Sequence, residues 1–181
     1  MNFNNSIFTL LLIFLILIFL SSTISKIMHK ERYDVTIRNY GIKHPLLIKF
    51  VYLFIVLSEG FITFSLALSG VNLYCLLTIS LLLSIFSIFI AINLFKGNQN
   101  FSCGCGGVLE NERLSYWMVL RNAVIILIAF ILFKSKYSIN YMTIQTLSSF
   151  IIVSVFLIYV QILKELKKIN EIMHFIFNLN P

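Results

Sequence analysis

Residues 6–25 read SIFTLLLIFLILIFLSSTIS, an apolar run without a charged side chain. About 20 such residues in a helix cross the roughly 30 Å of hydrocarbon in a bilayer. No Lys or Arg precedes the run, and no small-residue cleavage site follows it. The run therefore predicts a retained membrane span rather than a secretory signal peptide.

The rest of the chain has the same character. The 181 residues are 59% hydrophobic and 12% charged, with a mean hydropathy of +0.94. A soluble domain carries roughly 25% charged residues, so most of this surface is predicted to face lipid. Four further apolar runs cover about residues 46–69, 71–95, 115–133 and 142–163. Backbone groups in lipid must bond internally, and the runs do not alternate as barrel strands do. We predict an all-α polytopic bundle of five transmembrane helices, with residues 1–181 forming one integral membrane domain.

Local signals set the predicted boundaries of the spans. Pro45 is suited to the first turn of the second span, and Gly70 to the end of that span. Residues 26–45 form a basic, partly amphipathic connector, in which Lys26 is the first positive charge after the first span. The fifth span is followed by a basic tail.

The basic residues suggest an orientation in the membrane. The net charge is +7, and the basic residues flank apolar runs, which predicts contact with lipid headgroups and not with nucleic acid. Alternating spans leave only Lys134 and Lys136 on one face. The opposite face carries Lys26, Lys30, Arg32, Arg38, Lys43, Lys96, Arg113, Lys164, Lys167 and Lys168. Because cytoplasmic loops are enriched in Lys and Arg, we predict an outside N-terminus and a cytoplasmic loop between the third and fourth spans.

That loop contains a pair of cysteines. Residues 100–122 read NFSCGCGGVLENERLSYWMVLRN, with Cys103 and Cys105 among Gly104, Gly106 and Gly107. The glycines provide a flexible backbone, and a disulfide across so short a spacing would be strained and labile. Such a bond exchanges readily, so the pair predicts thiol–disulfide chemistry. The alternative is two small residues in a glycine-rich turn.

A metal site is a second alternative for the same face. His29, His44 and His174 lie on it with the cysteines, and a set such as Cys103, Cys105, His29 and His44 could hold zinc or copper. The histidines lack the usual ligand spacing, so we predict no metal. Cys75 lies early in the third span, near the opposite membrane face, and is predicted to be a packing residue.

Three polar residues fall inside the predicted spans. Glu59 lies in the middle of the second span, and Arg121 and Asn122 lie early in the fourth. An acid at this depth should face the bundle interior, where it can have a functional role. These residues predict a buried polar site that holds a quinone headgroup or relays a proton. The alternatives are that Arg121 extends to the interface and that Glu59 is only bonded between helices.

Four segments resemble the MauE family, within the wider group of MauE/DoxX-like redox-associated membrane proteins. They are RNYGIKHP before the second span, Glu59-Gly60 within it, AINLFKGNQNFSCGCGG leaving the third and ERLSYWMVLRN entering the fourth. The resemblance covers about residues 6–135, with a four-helix core, and leaves an additional span and basic tail at 142–181. One departure is IKHP at 42–45, where a leucine-rich LLP is expected.

The resemblance implies a role in protein maturation in the bacterial plasma membrane. MauE is expected to assist methylamine dehydrogenase, whose small subunit carries many disulfides, beside a thioredoxin-like partner, MauD. Relatives are expected to serve other exported client proteins. Whether the chain is itself part of a thiol–disulfide oxidoreductase stays open. The competing interpretation is a non-catalytic membrane accessory for assembly, immunity or transport.

Overall fold

The structure, a computed structural model, describes residues 3–97, 114–135 and 144–178. These residues form six helices and no strand. The helices are α1 (Phe3–Met28), α2 (Lys30–Asn39), α3 (Pro45–Ser69), α4 (Leu73–Phe95), α5 (Tyr116–Ser135) and α6 (Ile144–Asn178).

Five of these helices contain segments long and apolar enough to cross a bilayer. The segments are Ser6–Met28, Pro45–Ser69, Leu73–Phe95, Tyr116–Ser135 and Thr146–Leu163. Large apolar side chains such as Phe64, Leu127 and Phe156 are exposed on the outside of the bundle, as expected where lipid is the solvent. The predicted all-α bundle with five spans is therefore confirmed.

The spans pack mainly as two pairs, α1 with α3 and α4 with α5, and α3 also packs on α4. The main apolar core joins all four of these helices. It includes Leu12, Leu15, Phe19, Ile62, Leu66, Cys75, Ile79, Leu82, Ile125, Ala129 and Leu132. This core fills the half of the bundle that contains the turn between α3 and α4.

That turn follows the sequence prediction. Gly70 ends α3 with φ 70°, a left-handed conformation that suits glycine, and its N–H donates to the carbonyl of Leu66 at 3.3 Å. Asn72 then caps α4, because its side-chain oxygen accepts from the N–H of Cys75 at 2.8 Å. At the other end of α3, Pro45 occupies the first turn as predicted.

The opposite end of the bundle is more polar, and we call it the α2 end. Here α1 and α4 end, α3 and α5 begin, and α2 packs on α3. The ring of Tyr40, just after α2, contacts that of Phe89 on α4 with centroids 5.7 Å apart. Leu114 and Met118 pack on the end of α4. The chain therefore leaves α4 and enters α5 beside α2.

The helix α2 was predicted only as a partly amphipathic connector. Its ten residues bury Tyr33, Thr36 and Ile37 on one face, at the i, i+3, i+4 spacing of a helix. The opposite face exposes the charged residues Glu31 and Arg38. The connector is thus a short helix whose apolar side packs against the bundle.

The last helix differs from its predicted form. We expected a span at about 142–163 and a separate basic tail, but α6 is one helix of 35 residues. At 1.5 Å per residue it is about 52 Å long, which exceeds the roughly 30 Å hydrocarbon core. Among the described elements it contacts α1 alone, where Val153 and Leu157 pack on Ile13.

Lys26 was predicted to begin the connector, and this assignment was wrong. It lies inside α1, which continues to Met28, and its side chain is only 1% exposed. Lys26 must therefore be removed from the charges that argue for the membrane orientation. The remaining basic residues on that face still outnumber Lys134 and Lys136 on the other.

Candidate functional site: a buried ion pair beside an aromatic cavity

Glu59 forms an ion pair with Lys26 in the interior of the bundle. The Lys26 Nζ lies 2.6 Å from Glu59 Oε1, and the two side chains are 1% and 3% exposed. The hydroxyl of Ser22 lies 3.1 Å from each of the two carboxylate oxygens of Glu59, to which it can donate. Lys26 Nζ also donates to Ser22 Oγ at 2.7 Å. One carboxylate, one ammonium and one hydroxyl thus form a closed triangle of hydrogen bonds.

The local sequence explains how α1 and α3 build this triangle. Ser22 and Lys26 are four residues apart, so they lie on the same face of α1 and reach one site. Glu59 lies near the middle of α3, which packs along α1. About two turns before Glu59 on α3, the Tyr52 hydroxyl donates to the Lys26 carbonyl at 3.2 Å. The interface therefore fixes both the side chain and the backbone of Lys26.

Aromatic rings complete the surroundings of the ammonium group. The Lys26 Nζ lies 5.2 Å from the centroid of the Tyr33 ring and 5.9 Å from that of Phe86. Both distances fall within the roughly 6 Å range of cation–π attraction. Three helices, α2, α3 and α4, therefore contribute groups that stabilise one charge from α1.

The burial of Glu59 agrees with the sequence prediction, but its partner was missed. A lysine directly after an apolar run is usually a flanking residue that reaches the interface. The signal that could have identified it was the spacing from Ser22, which places a second polar group on the same helix face. That spacing suggests that α1 continues to Lys26 with a polar site on one side.

Asn122 and Arg121 belong to a different interface. Asn122 is fully buried, and its amide donates to Ser87 Oγ on α4 at 3.1 Å. Arg121 is partly buried and donates from Nη2 to Asn122 Oδ1 at 3.3 Å. No contact joins α3 to α5 within the described helices. The structure therefore bonds Glu59 to α1 and Asn122 to α4, as two separate polar contacts.

The cysteine pair lies outside the described residues. Cys103, Cys105, Gly104, Gly106 and Gly107 all fall in the segment 98–113. The described residues on either side, Gly97 and Leu114, lie at the α2 end of the bundle. Cys75 is a free thiol buried in the apolar core at the opposite end, as predicted for a packing residue.

The histidines of the alternative metal site are only partly described. His29 precedes α2 and His44 precedes α3, and both are exposed. His174 belongs to α6, and its side chain lies outside the described part of the structure. No group of three His, Cys, Asp or Glu side chains that could hold a metal occurs among the described residues. The two cysteines of the alternative set lie outside them.

A cavity of about 220 Å³ opens next to the ion pair, between α2, α3 and α4. The apolar face of α2 covers one side of it, and α3 and α4 form the other walls. Six of its lining side chains are aromatic: Tyr33, Tyr40, Phe50, Phe54, Phe86 and Phe89. Tyr33 and Phe86 are also the two rings that contact the Lys26 ammonium, so one wall separates the cavity from the buried charge.

These features define a polytopic α-helical membrane protein that buries an ion pair between two of its spans. Residues 4–135 match the family model of the methylamine utilisation protein MauE. The chain belongs to the MauE family, and α6 lies beyond the matched region. It is also 28% identical over 117 residues to the methylamine utilization protein MauE of Paracoccus denitrificans. That similarity spans 65% of this chain and 63% of the relative. No solved structure matches the chain.

Proposed function

We propose that this protein is a membrane component of thiol–disulfide exchange that assists the maturation of a partner protein, with Cys103 and Cys105 as the reactive pair. The observation that carries the proposal is where the chain enters and leaves the cysteine segment. Gly97 and Leu114 flank it at the α2 end, which is also the end at which α1 carries Lys26 of the buried ion pair. Membership of the MauE family supports the same role.

The exchange itself follows from thiol chemistry. One thiolate attacks a partner disulfide, which forms a mixed disulfide and releases one partner thiol. The second cysteine then attacks the mixed disulfide, so the pair is oxidised to a disulfide and the partner is reduced by two electrons. The reverse sequence oxidises a partner dithiol. Glycine stands on both sides of Cys105, and because glycine has access to a wide range of backbone angles it suits the small ring that this chemistry requires.

The electrons must pass to or from a second molecule. The chain has three cysteines, and the third, Cys75, is buried in the core at the opposite end of the bundle. It offers no second thiol pair. A membrane quinone, or a thioredoxin-like protein of the MauD type, would supply the missing redox couple. The client would be an exported protein with disulfides, for which methylamine dehydrogenase is one candidate.

A trapping experiment tests the cysteine pair. Cys103→Ser and Cys105→Ser are made separately, because the sequence does not distinguish the attacking thiol from the resolving one. The variant that lacks the resolving thiol should accumulate a mixed disulfide, seen as a higher-mass band that disappears on reduction. Cys75→Ser is the control and should behave as the wild-type chain.

If neither single variant traps a partner, and the double variant complements a deletion strain fully, the proposal fails. The accessory interpretation, in which the cysteine segment is a docking turn, would then replace it.

We further propose that the N-terminus lies outside the cell and the cysteine segment in the cytoplasm. The excess of basic residues at the α2 end supports this orientation even without Lys26. A reporter fused after Phe133 should be external, and one fused at the C-terminus should be cytoplasmic. In this orientation the cysteine pair meets a cytoplasmic thiol donor, and the electrons cross the membrane to serve an exported client. The opposite result would place the thiols outside, on the side of that client.

A further inference from the structure

The cavity between α2, α3 and α4 combines an apolar interior with basic residues near its edge. We propose that it binds one acyl chain of an anionic phospholipid, whose phosphate group lies among Arg38, Lys43 and Lys49. We call these three residues the basic rim. The inference goes beyond the proposed function, because lipid binding does not require the thiols of Cys103 and Cys105.

The interior of the cavity suits hydrocarbon. Ten of the thirteen lining residues are Ile, Leu, Val or Phe. The hydroxyl of Thr36, which also lines the cavity, donates to the Arg32 carbonyl in its own helix at 3.0 Å. An apolar cavity of about 150 Å³ in another protein stays dry and binds benzene, a guest of six carbon atoms. On that scale, a cavity of about 220 Å³ holds a chain segment of roughly eight carbon atoms.

The cavity occupies a gap between helices and opens to the bilayer. α2 packs on α3, whereas no backbone contact joins α2 to α4 among the described helices. Phe50 and Phe54 line the cavity and are 67% and 50% exposed on the outer surface of α3, which is a membrane span. A lipid chain can therefore enter from the side, and its contacts would connect α2 to α4.

The depth of the lining matches the acyl chains of one leaflet. Pro45 begins α3, and Val51 and Ile55 lie about 9 and 15 Å further along the helix axis at 1.5 Å per residue. One leaflet contributes about half of the roughly 30 Å hydrocarbon core. A phospholipid with its headgroup at the level of Pro45 would therefore place its chain beside these lining residues.

The basic rim favours an anionic headgroup. Arg38, Lys43 and Lys49 are exposed, and each is next in sequence to a residue that lines the cavity. None of the three forms an ion pair with another residue in the described part of the chain. The stretch 35–58, which follows Asp34, contains no Asp or Glu. A phosphate at this position would thus meet positive charge without competing carboxylates from α3.

Photolabelling of the full-length protein in detergent micelles tests both parts of the site. The probe is a phosphatidylglycerol with a diazirine in one acyl chain, and labelled peptides are mapped by mass spectrometry. We expect saturable labelling of the peptides that contain residues 51–55 and Phe86. Unlabelled phosphatidylglycerol should compete at a concentration about tenfold lower than phosphatidylcholine with the same acyl chains, because only the first lipid carries a net negative charge.

Two pairs of variants separate the acyl chain from the headgroup. Val51→Trp fills the cavity and should lower saturable labelling by about tenfold, whereas Val155→Trp on the exposed face of α6 should leave it unchanged. Lys49→Gln should lower the preference for phosphatidylglycerol by about fivefold. Lys134→Gln removes one charge from the last turn of α5, at the other end of the bundle, and should leave the preference unchanged.

Three outcomes would overturn the inference. Equal competition by the two lipids, or an unchanged preference in Lys49→Gln, would show that the basic rim does not bind the headgroup. Labelling of Val51→Trp at the wild-type level would show that the chain does not enter the cavity. If Val51→Trp does not fold, the smaller change Val51→Phe tests the same prediction.

The cysteine variants keep this test separate from the proposed function. The double variant Cys103→Ser/Cys105→Ser should be labelled as the wild-type chain is, because the lipid site does not contain the thiols. Saturable labelling without any trapped mixed disulfide would retain the lipid site and reject the thiol exchange. Trapping that persists while Val51→Trp labels normally would retain the exchange and reject the lipid site.

Discussion

The α1–α3 and α4–α5 interfaces both bury polar side chains between membrane spans, but the groups that they bury differ in charge. The first buries two full charges, those of Lys26 and Glu59, which depend on each other. The second buries neutral groups: Asn122 donates to Ser87, and the Ser87 hydroxyl in turn donates to the carbonyl of Leu83 in its own helix at 2.8 Å. Removal of one group should therefore have very different effects at the two interfaces.

The physical difference lies in what remains after a deletion. A buried charge that loses its partner retains the whole penalty for leaving water, whereas a hydroxyl such as that of Ser87 keeps a backbone partner. In the membrane, hydrogen bonds between neutral side chains contribute on average only about 0.6 kcal/mol. Four substitutions test this contrast, in order of decreasing expected effect.

The largest effect is expected from Lys26→Met. It keeps most of the length of the unbranched side chain but leaves the Glu59 carboxylate in the interior with Ser22 as its hydrogen-bond donor from α1. Breaking a buried pair in this way costs about 3–5 kcal/mol of unfolding free energy. Unfolding of the purified protein in detergent, followed by circular dichroism, measures the loss.

The double variant Lys26→Met/Glu59→Met removes both charges and should recover most of that stability. The single variant Glu59→Met completes the comparison. If the loss of unfolding free energy in the double variant equals the sum of the losses in Lys26→Met and Glu59→Met, the two side chains are not energetically coupled. The contrast between the interfaces would then be lost.

The second effect is expected from Ser22→Ala. This change removes a hydroxyl within 3.1 Å of both oxygens of Glu59, and hydrogen bonds to charged groups contribute about 1.5–3 kcal/mol. Ser80→Ala on α4 is the matched control, because the Ser80 hydroxyl donates to the Leu76 carbonyl in its own helix at 2.7 Å. Equal unfolding free energies for the two variants would contradict the prediction.

A smaller loss is expected at the neutral interface. Asn122→Ala removes the bond to Ser87 across α4 and α5, with an expected decrease of about 1 kcal/mol in the unfolding free energy. Ser87→Ala removes the same bond from the other side, so its unfolding free energy should be close to that of Asn122→Ala. A decrease as large as that of Lys26→Met would show that a buried amide is as sensitive here as a buried charge.

The smallest effect is expected at Gly60, next to Glu59 in α3. A Cβ added at Gly60 would meet no atom within 4 Å, and alanine favours a helix over glycine by roughly 0.5–1 kcal/mol. Gly60→Ala should therefore raise the unfolding free energy by about 0.5 kcal/mol. A marked decrease would mean that this stretch of α3 is sensitive to any change, not only to loss of the Glu59 contacts.

The sequence predicted the parts of this fold that depend on local signals. Hydropathy identified the five spans, and Pro45 and Gly70 marked the two ends of α3 because each acts within one turn of helix. The burial of Glu59 was predictable as well, because an acidic side chain in the middle of a span is unfavourable in lipid and faces the bundle interior. Each of these inferences needs only a short window of sequence.

The partner of Glu59 required information from outside such a window. Lys26 lies two residues from the end of α1, where a lysine ordinarily reaches the headgroups, and its carboxylate partner is 33 residues away. The aromatic cavity could not be predicted for the same reason, since its wall is formed by α2, α3 and α4, which are separate in sequence. The predictions for Cys103 and Cys105 concern residues outside the described structure and stay predictions.

The position of Lys26 so close to the end of α1 has a consequence for biosynthesis. Lys26 leaves the ribosome 33 residues before Glu59, an interval of about 2 to 7 s at typical rates of synthesis. During that interval α1 has no acidic partner for its lysine. Because Met28 ends the helix two residues later, the flexible lysine stem can hold its ammonium at the membrane surface meanwhile. The newly made α1 can thus stay inserted in the bilayer before α3 is made. The Lys26 ammonium can then move into the bundle when α3 packs on α1 and supplies Glu59.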